Sequence, residues 1–120
     1  MPSALKILGQ SELSTSSFGT TLYTVPTSVN FDMGGGDRFY TLVTSIVLCN
    51  RNASSNDYSI RVVPKSATAG VEHIIFNGIT LTTDATDIIS LGLTVSSGDK
   101  IEASSTLASL SASVFGVETH

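Results

Sequence analysis

Few side chains in this 120-residue chain are of types that do chemistry, and their spacing gathers none of them into a catalytic pattern. Cys49 is the single cysteine, so no internal disulfide forms, and its place beside Val47 and Leu48 reads as a small buried thiol. A nucleophilic thiol needs an activating base at hand, and the two histidines, His73 and His120, stand in no local motif that supplies one. Glu72 and His73 are neighbours, so in a strand they point to opposite faces and form no acid–base pair. Asp84, Asp87 and Asp99 come nearest to a cation set. Calcium loops place more oxygens, closer together and in fixed order, so these aspartates read as turn formers. Gly34-Gly35-Gly36-Asp37-Arg38 has the composition of a phosphate-cradling loop, but a strand follows where a helix N-terminus would have to face the anion. The expectation is therefore no enzyme, no metal site and no cofactor.

Two weaker signals concern sugars. Asn52-Ala53-Ser54 matches the N-glycosylation pattern and marks an exposed loop. All-β domains that bind glycans usually present aromatic platforms, and here Tyr23, Tyr40 and Tyr58 all sit at strand positions that a core would claim. A glycan-binding module is thus an alternative reading, not the first.

The totals exclude other partners. Six Lys and Arg against ten Asp and Glu give a formal charge of −4, and the bases (Lys6, Arg38, Arg51, Arg61, Lys65, Lys100) are scattered along the chain. A nucleic-acid groove needs several phosphate contacts from one basic face, and a membrane anchor needs a polybasic run; neither is expected. No apolar run reaches the roughly 18 residues of a membrane span, and the N-terminus lacks a signal-peptide pattern, so a soluble protein made in a cytosol is expected. Only 13% of residues are charged, whereas Ser and Thr make up roughly a quarter. A surface of hydroxyls is less repelled by a neighbouring protein than a charged one, which is compatible with assembly.

These residues have to be positioned by strands. Tyr40 to Asn50 is dense in β-branched residues and Asp57 to Pro64 alternates Tyr58, Ile60 and Val62 with polar positions, which predicts a central β-hairpin across the loop Arg51 to Asn56. Further strands are expected at Ala4 to Leu8, Thr21 to Val25, Ser28 to Met33, Ile89 to Val95, Lys100 to Ser105 and Ser109 to Glu118. Asn77-Gly78 is a strong hairpin signal and should join Val71 to Phe76 with Ile79 to Thr83. Thr86 to Leu91 and Thr106 to Ala108 have room for one helical turn each. About eight strands near ten residues apart, with no amphipathic helix, predict an all-β, single-domain antiparallel β-sandwich, jelly-roll-like or Ig-like. Residues 1–19 read as an N-terminal strand and flexible arm, and residues 20–120 as the sandwich.

Four phrases carry a resemblance: Leu22-Tyr23-Thr24-Val25-Pro26, Ser45-Ile46-Val47-Leu48-Cys49-Asn50-Arg51, Arg61-Val62-Val63-Pro64, and Leu91-Gly92-Leu93-Thr94 leading to Gly98-Asp99-Lys100-Ile101. Together with the closing Phe115-Gly116-Val117-Glu118, they resemble the small β-sandwich virion proteins of tailed bacteriophages. The chain departs from that pattern between Pro26 and Phe39, where a Gly-rich segment is added. The resemblance implies a structural protein of the virion, made in the host bacterial cytoplasm. A capsid decoration or cement protein that stabilises the head shell is the first expectation; a tail, baseplate or fibre component is the second. Its expected partners are the major capsid protein and further copies of itself, a trimer before a dimer. Candidate contacts are Leu5, Ile7 and Phe18 on the arm, Gly34, Gly35, Arg38, Arg51 and Ser54 in loops, and Ser111 and Ser113 on the flat part of the last strand.

Overall fold

A computed structural model describes residues 3–26 and 40–119. Among these, the elements in chain order are β1 (Ser3–Glu12), β2 (Thr20–Thr24), β3 (Tyr40–Asn50), β4 (Asn56–Val63), a 3₁₀ turn (Val71–His73), β5 (Ile74–Leu81), β6 (Thr86–Ser96), β7 (Lys100–Ser105) and β8 (Leu110–Thr119). The strands form two four-stranded antiparallel sheets, ordered β1-β8-β3-β6 and β2-β7-β4-β5. Alternation decides which side of each strand is inside. In β3, Val43, Ile46 and Leu48 are buried while Val47 and Cys49 between and after them are only half-buried; in β8, Leu110, Ala112 and Val114 face inward. Ile60 and Ile101 meet them from the second sheet, in one continuous core.

The pairing β1–β8, β2–β7, β3–β6 and β4–β5 describes one long antiparallel ribbon rolled up on itself, a jelly roll. Among the described strands, successive ones lie in different sheets except β4 and β5. An Ig-like arrangement would keep more successive strands side by side, so the strand order decides between the two expected sandwiches.

That order corrects the expected central hairpin. Both arms are strands, but β3 and β4 lie in different sheets, joined by residues 51–55. Five residues can reach about 16 Å, more than the about 10 Å between packed sheets, so a short loop is no guarantee of a hairpin. The Asn77-Gly78 expectation is also corrected: β5 runs through it without turning. Tyr58 pairs with Ile79 and Ile60 with Phe76, so the dipeptide forms a β-bulge opposite Ser59 with Gly78 at φ +63°. Residues 71–73 are a 3₁₀ turn and not strand, β6 begins at Thr86 where a helical turn had room, and Gly9 to Glu12 continue β1. The strand expected at Ser28–Met33 and the glycines that follow lie outside the described residues.

Polar side chains fasten the two sheets to each other. Tyr23 of β2 crosses the edge of the core, where its hydroxyl bonds Thr41 of β3 at 2.8 Å and donates to the Glu118 carboxylate of β8. Tyr58 of β4 reaches the other sheet the same way and donates to Asp87 of β6 at 3.0 Å. Burial first, and then the neighbouring carboxylate, pushes both phenols well above the usual tyrosine value. Asn50, fully buried, donates through Nδ2 to the carbonyls of Ser54, Leu81 and Thr82 at 3.0–3.1 Å and accepts from the Asn52 N–H, tying the end of β3 to the end of β5. The Asp99 carboxylate accepts from the N–H groups of Lys65 and Ser96 and closes the β6–β7 turn.

Candidate interaction face

The outward side of the β1-β8-β3-β6 sheet collects apolar side chains that the core does not use. Register places Leu5 of β1 beside Val117 of β8, Val117 beside Leu42 of β3, and Leu42 beside Thr94 of β6. The next row is Ile7, Phe115, Ser45 and Ser90. Further along, Val47 stands between Ser113 and Ile88. Leu5 is 77% exposed, Ile7 53%, Tyr40 46%, Leu42 41% and Ile88 70%. Such exposure of five large apolar side chains on one side of one sheet is the kind of surface that marks an interaction site. The residues of these rows are all uncharged; Glu12 stands beyond them at the far rim beside Ser111, where Arg51 pairs with it at 3.0 Å.

The backbone beneath the face carries two bulges and one close approach. Leu8 is an extra residue of β1 and Thr44 an extra residue of β3, both opposite the Val114–Gly116 stretch of β8, and the Thr44 hydroxyl donates to the Phe115 carbonyl. Gly116 has no room for a side chain: a Cβ there would lie 2.2 Å from the Leu42 carbonyl oxygen.

Of the expected contact residues, the structure brings Leu5, Ile7, Ser111 and Ser113 onto this one face and sets Arg51 at its rim. Ser54 is exposed in the loop after Arg51, where its N–H donates to Asn52 Oδ1. Phe18 is elsewhere: it belongs to the 13–19 loop over the other sheet, with the Arg61 guanidinium 4.4 Å above its ring. Gly34, Gly35 and Arg38 lie outside the described residues. Sequence reading missed Tyr40, Leu42, Ile88, Phe115 and Val117. The signal was there in β8, whose outward positions change from Ser111 and Ser113 to Phe115 and Val117; only its serine half is flat.

The residues whose types could do chemistry are dispersed. Cys49 is half-buried on the outward side between Thr86 and Ser111, not in the core as expected, because Leu48 and Asn50 take the inward positions of β3. Glu72 and His73 are not on opposite faces of a strand: the 3₁₀ turn brings His73 Nε2 to 3.9 Å from the Glu72 carboxylate, while Nδ1 accepts from the Gly70 N–H. Among the described residues, no three His, Cys, Asp or Glu side chains are grouped to hold a metal, and no helix is long and apolar enough to cross a membrane. Tyr23 and Tyr58 are buried as expected, but Tyr40 is exposed; it stands apart from the other two and forms no aromatic platform with them.

Comparison of the chain with protein-family models, with curated proteins and with solved structures finds no match.

Proposed function

We propose that this protein is a structural component of a tailed-phage virion, a decoration or cement protein that binds the head shell through protein–protein contacts. The observation that carries the proposal is the outward face around Leu5, Ile7, Leu42, Phe115 and Val117, which is broad, apolar and uncharged on a two-sheet scaffold. The core of a protein–protein interface is depleted in charge and rich in aromatic and aliphatic side chains, and this face has that composition. The phrases that resemble those of phage virion proteins add support of a different kind. Tyr23 of the first phrase bonds Glu118 of the last, Asn50 anchors the Cys-Asn-Arg loop, and Asp99 closes its turn. Each of these residues fastens the scaffold, the role that a structural protein asks of such phrases.

A shell protein acts in many copies around symmetry axes, so self-association, as a trimer before a dimer, belongs to the same proposal. The test is co-sedimentation of the purified protein with empty capsids and, separately, with isolated tails of the same virus, after its own oligomeric state is fixed by light scattering. Saturable binding to capsids at a copy number that fits the shell symmetry is the expected result. Binding to tails alone would move the protein to the tail or fibre class, and binding to neither would overturn the virion reading.

A further inference from the structure

The opposite side of the molecule holds a hollow of about 370 Å³ whose lining is almost all hydroxyl: Thr15, Ser17, Ser59, Ser104, Ser105 and Thr106, with Asp57 and Gly78. Ser59 of β4 and Ser104 of β7 are paired neighbours on the outward side of the β2-β7-β4-β5 sheet. The 13–19 loop covers them. That loop is fixed by its own bonds, Ser14 N–H to Thr20 Oγ1 at 2.7 Å, Ser16 N–H to Ser14 Oγ at 3.0 Å, and the Ser14 carbonyl accepting from Ser105 N–H at 3.0 Å. The hollow is therefore preformed, and a ligand entering it does not have to order the loop.

Three groups in it have unused hydrogen-bonding capacity. Ser104 is only 9% exposed, and among the described residues its hydroxyl has no partner, an uncommon state for a buried polar group. Asp57 Oδ1 accepts from the Thr80 hydroxyl at 2.8 Å, which orients the carboxylate, while Oδ2 has no partner among the described residues. Ser59 Oγ accepts from the Gly78 N–H at 2.9 Å and keeps its own proton to donate.

The chemistry of the lining selects the ligand class. An anion would meet Asp57 with no cation in the lining, since Arg61 is paired with Glu102 at 2.7 Å and stacked on Phe18. A divalent cation asks for more than one carboxylate, and an apolar ligand would leave the Ser104 hydroxyl and Asp57 Oδ2 unpaired, whereas Ser105 and Thr106 already bond Leu107 and Asn56. A neutral molecule bearing several hydroxyls meets both needs, donors for Asp57 and acceptors for Ser59 and Ser104, and the volume falls within the about 300–1,000 Å³ of small-molecule sites. We propose that this hollow binds a saccharide, with the Asp57 carboxylate accepting from a pair of adjacent sugar hydroxyls and Ser59 and Ser104 completing the contacts. The site lies on the other sheet from the apolar face, so its test is independent of capsid binding.

The experiment is a titration of the isotope-labelled full chain with D-glucose, D-galactose and N-acetyl-D-glucosamine, followed by amide chemical shifts. With no aromatic ring in the lining, millimolar affinity is expected. At least one sugar should give saturable shifts concentrated at Ser59, Gly78, Ser104 and Thr106. Asp57→Asn keeps an acceptor for Thr80 and so keeps the fold, but it should weaken binding at least tenfold; Ser104→Ala, which removes only one hydroxyl, should weaken it severalfold. Absence of saturable shifts with all three sugars up to about 100 mM, well beyond millimolar dissociation constants, would overturn the proposal. So would an unchanged affinity in both variants.

Discussion

The two buried tyrosines show how single residues set the conditions under which this sandwich holds. Tyr23 and Tyr58 each run from the β2-β7-β4-β5 sheet to a carboxylate on the other, Glu118 and Asp87. Each phenol must stay protonated to donate, and burial together with the facing carboxylate holds its proton more tightly in the folded chain than in the unfolded one. The sign follows from linkage. Above the unfolded tyrosine value of about 10, the unfolded chain has released phenolic protons that the folded chain keeps, so stability falls as pH rises. The contribution is complete below about pH 10 and is lost through the alkaline range above it. Urea unfolding from pH 8 to 11 should show this fall in the wild type. In the Tyr23→Phe/Tyr58→Phe double variant, stability at pH 8 should be lower by about 1–3 kcal/mol for the lost bonds, and the alkaline slope should be shallower. An equal slope in both proteins would mean that other groups govern alkaline unfolding.

At the scale of elements, strands were legible and their partners were not. The alternation of Val43, Ile46 and Leu48, or of Leu110, Ala112 and Val114, reports that one side is buried, but both sheets share one core and alternation does not say which sheet a strand joins. For that reason β3 and β4 read as a hairpin although they sit in opposite sheets. Asn77-Gly78 misled for a related reason: positive φ at Gly78 serves a bulge as well as a turn, and the Ser59 hydroxyl that accepts the Gly78 N–H comes from a distant strand. Apolar residues on both sides of β8, by contrast, were visible in Phe115 and Val117 and needed only the register to become a face. Where backbones pack closest, composition gives a sharper prediction. Gly116→Ala would put a methyl 2.2 Å from the Leu42 carbonyl oxygen, so β8 and β3 have to separate. The expected cost is about 2–3 kcal/mol, read as a lower urea midpoint at unchanged slope.

The molecule as a whole divides its two outer surfaces between two kinds of contact. One sheet turns hydroxyls and a carboxylate to the solvent in a sheltered hollow, and the other turns out Leu5, Ile7, Leu42 and Ile88. An isolated chain gains nothing from exposing the second set, whereas a standard interface asks for about 800 Å² from each partner with an apolar centre. If that face is what docks, a charge placed within it should weaken binding at least tenfold while leaving the fold alone. Ile7 is the position to use, because it is 53% exposed, it stands beside Phe115, and no core contact depends on its outward side chain. Ile7→Glu should change unfolding stability by no more than about 0.5 kcal/mol, the ordinary range for surface substitutions. In the co-sedimentation assay it should lower capsid binding at least tenfold, since a carboxylate buried against an apolar partner has no counter-charge on this face. Thr24→Glu on β2 of the other sheet, also exposed, is the control and should bind as the wild type does. Equal loss in both variants would point to net charge as the cause, and undiminished binding by Ile7→Glu would place the contact surface away from this sheet.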